Sequence, residues 1–211
     1  KFNFTLDPGT VFDINDGGVI GPVRDMTTGS NTLFDFGGST VNINSGGLFS
    51  SERFENRSVV SNISLNVFEG GTLSDSIAAL LGTVNISGGT VGNRFSAGFG
   101  SVVNISNGNV GGQFTADLGS TVNISGGSVG VLFRAIHGST VNITGGSVGR
   151  DFRNHGTLNI LGGSVVDELQ TMSGSTVNIF AGNVGRNFRT EQESTVIISG
   201  GVVGRDFLAV G

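Results

Sequence analysis

The feature that most limits what this chain can fold into is a repeat. GSTVNISGGSVG occupies residues 119–130 and GSTVNITGGSVG occupies residues 138–149, nineteen positions later. Aligned on the first apolar residue of TVNI, the repeat gives a column of Val84, Val103, Val122, Val141, Leu158, Val177 and Val196. Every step in that column has the same length except the one from Val141 to Leu158, which is shorter by two. Three more columns keep the same phase. Two run from Ile86 to Ile198 and from Val91 to Val203, and the third is aromatic: Phe95, Phe114, Phe133, Phe152, Leu169, Phe188 and Phe207. A unit this short cannot bury its own apolar residues, so neighbouring copies must stack to make a core.

The template extends backwards with less regularity. Leu65, Val67, Gly70, Gly71, Leu73 and Ile77 fit it without gaps. Val41, Ile43, Gly46, Gly47 and Leu48 fit its first half, and Phe12, Ile14, Gly17, Gly18, Val19 and Val23 fit again. The expectation is about ten coils of ~19 residues in one domain. That domain spans 1–211, with irregular coils in 1–81 and regular ones in 82–211. Interruptions near 24–38 and 50–62 predict lateral loops in the N-terminal third.

Within a unit, STVNIS alternates polar and apolar residues, the pattern of a strand with Val and Ile inward and Thr, Asn and Ser outward. The Gly-Gly that follows permits a corner with positive φ. SV and F-x-A supply two more short sides. The predicted fold class is therefore all-β, a parallel β-helix with strands about 4.8 Å apart. Right-handed coiling is expected, because the strict hexapeptide spacing of left-handed β-helices is absent.

Composition narrows the alternatives. With 38 Gly but 2 Pro and no strict G-X-Y period, collagen is excluded. A net charge of −5 with 13% charged residues argues against a nucleic-acid partner. Zero cysteines exclude disulfides, thiolate metal sites and cysteine nucleophiles. No apolar run is long enough to insert in a membrane as a helix. The opening KFNFTLDPG, with no methionine and no signal-peptide core, is what a mature or excised chain would show.

The GSTVNISGGSVG coils resemble those of parallel β-helix (β-solenoid) proteins of bacterial surfaces and secretions, including adhesins and autotransporter-passenger-type proteins. The resemblance covers about residues 9–211. It implies an extracellular or cell-surface location and a structural or adhesive part, as a stalk or fibre.

The enzymes common on such folds cleave polysaccharides with basic or tyrosine side chains, or with paired carboxylates. Here there is a single lysine, Lys1, and no tyrosine. Asp167 and Glu168 are adjacent, and Asp13 and Asp16 flank a turn, without marking a cleft. No catalytic residue, cofactor or metal is expected. His137 and His155 fall in the same inter-repeat corner of neighbouring coils but lack a third ligand. Arg134, Arg150, Arg153, Arg186, Arg189 and Arg205 form a basic stripe suited to surface glycans, although Asp151, Asp167, Glu168, Glu191, Glu193 and Asp206 share the region. Arg150, Arg186 and Arg205 fall in one column beside Asp151, Asn187 and Asp206, which reads as a charge ladder.

The outward face of TVNIS carries a polar array that includes Thr121, Asn123, Thr140, Asn142, Thr176 and Asn178. A third outward column of Ser and Thr is broken by Leu161 and Phe180. Such an array suits either ice binding or a self-paired Asn ladder. The function expected is a non-enzymatic extracellular stalk or adhesion module, with polysaccharide binding or processing and ice binding as alternatives. FNFTL alternates Phe2, Phe4 and Leu6 and is expected to pair onto the first coil. The pattern runs unbroken to Phe207, which predicts a cut end or end-to-end stacking of residues 194–211 on 1–20 of another copy.

Overall fold

The computed structural model describes residues 4–5, 8–20, 33–50 and 58–210, and the side chains of 4–5 and 33–36 are not part of that description. Within the described residues the chain is all-β, with 25 strands in one continuous sheet whose pairings are all parallel. Each coil has three sides. The longest carries TVNI, as in Thr121–Ile124, and stacks in register on Thr140–Ile143. The second is short, as in Ser128–Val129 on Ser147–Val148. The third carries the residues after the aromatic column, as in Thr115–Ala116 on Arg134–Ala135.

The four sequence columns are the core. Val122, Ile124 and Phe133 are wholly buried and Val129 nearly so, and their equivalents form one continuous cluster from Ile14 to Phe188. The rings stack between coils, with centroids 4.7 Å apart for Phe114–Phe133 and 4.5 Å for Phe133–Phe152. Leu169 takes the place of a ring between Phe152 and Phe188. Alanine fills the adjoining inward column at 97, 116 and 135, where the third side lies against the stacked rings.

The coil count differs slightly from the sequence expectation of ten: the solenoid has about eight turns at ~19-residue spacing. Uninterrupted turns begin with the strand Ser58–Val67, and the earlier described strands extend the same ladders. The predicted insertions are partly strand. Leu33–Ile43 and Ser58–Val67 pair along both the third and first sides, so residues 33–38 and 58–62 build coils rather than loops. Apart from Ser50, the rest of those insertions, with Phe2, Leu6 and Val23, lies outside the described residues. Phe4–Thr5 does pair, onto Phe34 and Asp35.

One column slips by a residue. Leu48 and Val19 do not take the inward place on the second side. Phe49 and Ile20 do, aligned with Leu73. Phe49 is fully buried, whereas Val19 is 62% exposed. The strand rule explains this, since the inward residue is the second after Gly-Gly, as in Thr72-Leu73 and Thr90-Val91.

Three corners turn each coil. The Gly-Gly corner uses positive φ at its first glycine in the early coils (Gly17, Gly46 and Gly70) and at its second from Gly89 onward. At Gly127 the angle is 69°, and a Cβ there would lie 2.5 Å from the Gly108 carbonyl oxygen below. The corner before the aromatic column uses non-glycine residues: Arg94, Gln113, Leu132, Asp151, Glu168 and Asn187 all have φ between 59° and 63°. This conformation costs an L-residue about 1–2 kcal/mol. A hydrogen bond offsets it. The N–H of Gln113 donates forward to Val131 and that of Leu132 to Arg150, whereas strand N–H groups such as Thr115 donate back, to Phe95.

Candidate functional site

The most regular surface feature lies on the long side. Asn side chains there form a chain of inter-coil hydrogen bonds in which each Nδ2 donates to the Oδ1 of the coil before. It runs Asn178 to Asn159, Asn159 to Asn142, Asn142 to Asn123, Asn123 to Asn104 and Asn104 to Asn85, with distances of 2.8–2.9 Å. It continues through Asn66 and Asn42 and ends on the Asp13 carboxylate, which accepts at 2.7 Å. A carboxylate has only acceptors, so it suits the end of a chain in which every amide donates the same way. Ile197 occupies the next position beyond Asn178.

The exposed polar array is therefore engaged with itself. Asn123, Asn142 and Asn178 each use an N–H and, for the first two, the carbonyl within the ladder. Thr121, Thr140 and Thr176 stand beside them, in register and half-buried. Leu161 and Phe180 are exposed on this side by 48% and 51%, so the array has apolar relief at that end.

The six arginines do not form one stripe. Arg150, Arg186 and Arg205 belong to the corner between the second and third sides, and the shortened repeat brings Asp167 into their column. Arg186 donates to Asp167 through its side chain at 3.1 Å and its backbone N–H at 2.7 Å. The side-chain bond and then the backbone bond hold the Asp167 carboxyl below its ordinary value, and the side-chain bond with the carboxylate charge raises Arg186. The same corner repeats the device with Asp75 accepting from the Asn93 N–H, and Asn93 from that of Gly112. Of the charge ladder expected from sequence, one rung is seen, Arg186 on Asp167, and its acid comes from the arginine column itself rather than from Asp151 or Asp206.

Arg134, Arg153 and Arg189 lie elsewhere, facing outward on the third side. Arg134 pairs in register with Arg153, Arg153 with Gln170, and Gln170 with Arg189. All three arginines are exposed. Beside them runs a second outward column of Asp117, Ile136, His155, Met172 and Glu191, aligned by N–H bonds to the coil below. Burial, and then the positive charge of Arg134, hold His155 below its ordinary value of 6.5, with Glu191 opposing and Arg153 assisting.

The two histidines are not in one column. His155 donates its backbone N–H to Ala135, as Ile136 does to Ala116, so His155 is the counterpart of Ile136 rather than of His137. The shortened repeat omits the counterparts of His137 and Gly138, which brings His155 nearer to the following TLNI strand. Among the described residues no group of three His, Asp or Glu side chains is placed to hold a metal ion, and no helix is long and apolar enough to cross a membrane.

Sequence reasoning missed two polar devices. Ser101, Ser120, Ser139 and Ser175 close the corner before the long side, each hydroxyl donating to the carbonyl three residues earlier, at 2.5–2.7 Å. Their regular place before TVNI was the available signal. In the short coil Gly156 takes this place, and a buried Asn154 does the work. Asn154 accepts from the Gly156 N–H at 3.2 Å and donates to the carbonyls of Gly156 and Thr176, at 3.2 and 3.0 Å.

No family model, curated protein or solved structure matches the chain.

Proposed function

We propose that the protein is a non-enzymatic structural or adhesion module that works outside the cell as a stiff β-solenoid spacer. The Asn ladder carries this reading. It links coil to coil from Asp13 to Asn178 by side-chain bonds, in addition to the three backbone ladders. Bending or separating coils breaks several such bonds at once, while the stacked rings inside lose contact. A body of this kind holds whatever is attached to its ends at a fixed distance, and its repeated faces offer weak contacts many times over. End-to-end stacking of copies would extend it into a fibre.

Single-molecule stretching of the full chain tests the mechanical part. Coils should peel one after another, each releasing about 65 Å of extended chain. A smooth, low-force extension without steps would contradict it. Cleavage of acidic polysaccharides by the purified chain would contradict the non-enzymatic part. Failure of an antibody against the chain to label intact source cells or their secretions would contradict the location.

A further inference from the structure

We infer that the third side carries a binding site for the acidic groups of a glycan, carboxylate or sulfate, centred on Arg134 and Arg153. The observation is a contrast in how this protein treats stacked charges. Like charges directly opposed on neighbouring strands are destabilising, and at the corner Arg186 is relieved by Asp167. Arg134 and Arg153 are opposed in register one strand spacing apart, yet among the described residues neither is paired with a carboxylate. Their shared neighbour is His155, whose ring their charge helps to hold below its ordinary pKa.

Two arginines whose backbones stack one strand spacing apart, about 4.8 Å, can bring two forks of donors to one anion. One carboxylate or sulfate bridging them removes the repulsion and satisfies the donors together. Gln170 and Arg189 continue the row, and Ile136 and Met172, both half-buried, give a low apolar floor beside it. That mixture suits a sugar ring bearing an acidic group: forked donors for the acid, an amide for hydroxyls, and aliphatic surface under the ring. Asp117 and Glu191 close the floor column at its two ends. With a chain of net charge −5, they disfavour a long uniform polyanion such as nucleic acid. The site is independent of the mechanical reading, since a stiff spacer needs no ligand and a binding face needs no stiffness.

The test is calorimetric titration of the full chain with galacturonate oligomers and chondroitin sulfate oligomers. Neutral dextran oligomers, sodium sulfate and single-stranded DNA serve as comparisons. At least one acidic oligosaccharide should bind more tightly than all three comparison ligands, and the His155 ring resonances should move as it does. Arg134→Gln with Arg153→Gln should weaken binding by about tenfold or more, while Arg186→Gln with Arg205→Gln should leave it within about twofold. Should the first pair fail to fold, Arg153→Lys keeps the charge, loses the fork, and should still weaken binding. Tighter binding of DNA, equal binding of sodium sulfate or dextran, equal loss in both pairs of variants, an unmoved His155, or no binding at millimolar ligand would each overturn the site.

Discussion

The coil that starts at Arg134 and the one that starts at Arg153 stack directly, and they close the same corner by different means. The first has the full repeat length and turns through Ile136–Ser139, where the Ser139 hydroxyl and N–H both bond to the Ile136 carbonyl. The second is the shortened repeat. It has no serine at that corner, and folds an inward Asn154 side chain back onto its own corner and up to the next coil. In the first coil the equivalent of Asn154 is Ala135, fully buried against the ring column. Yet Thr140 and Thr157, Val141 and Leu158, and Phe133 and Phe152 remain in register or stacked across the junction. The core columns fix the coil. A corner can lose residues provided that another group partners the backbone it leaves behind.

The largest effect should come from the columns the two coils share. Phe133→Ala removes a ring stacked on both faces and should cost about 3–5 kcal/mol in denaturant unfolding. A loss below about 1 kcal/mol would mean the ring column does not hold the coils together. Next comes the feature they do not share. Asn154→Ala leaves the Gly156 N–H and the Thr176 carbonyl without that partner in a buried corner and should cost about 2–3 kcal/mol. Ser139→Ala, which leaves the Ile136 carbonyl its bond from the Ser139 N–H, should cost about 1 kcal/mol or less. If the two losses were equal, Asn154 would not be the replacement for the missing residues.

A third variant goes the other way. Thr171 follows Asn154 in the same inward column, and its buried Oγ1 has no hydrogen-bond partner. Thr171→Val keeps the shape, removes the unmet hydroxyl, and should raise the melting temperature through a gain of about 1 kcal/mol. A fall would place an unseen partner on that hydroxyl. The smallest effect is one of pH. The folded state holds His155 below 6.5, so the unfolded chain binds more protons just below that value. Stability is then full above pH 6.5, falls as pH drops towards the folded value, and flattens below it. His155→Gln should reduce that slope, and an unchanged slope would assign it to other groups.

Much of this architecture is legible in the chain itself because core residues recur at fixed intervals and a strand's inward side alternates. Val122, Ile124, Val129 and Phe133 needed nothing more. The non-glycine corners were hidden because no residue type marks them: Arg94, Gln113 and Leu132 share a backbone conformation that a forward N–H bond supports, and nothing in their side chains shows it. Asn154 stands where the preceding coil has Ala135, and sequence alone does not mark it, since its value lies in three bonds to a corner that exists only in the folded coil. Asp167 could have been placed. Allowing for the shortened repeat sets it in the Arg150 and Arg186 column. The division of the arginines between a corner and an open side was harder to see, because sequence spacing does not say where a three-sided coil turns.

Whether coils stack as equals while their core columns keep phase is tested most directly by amide hydrogen exchange across this junction. The N–H groups of Arg134, Arg153 and Gln170 donate to Phe114, Phe133 and Phe152 in three successive coils. All three should exchange at closely similar slow rates, and Asn154→Ala should speed the coil around Arg153 first. Exchange at Arg153 and Gln170 that is orders of magnitude faster than at Arg134 in the unaltered protein would make the short coil a hinge, and would contradict the stacking of equals.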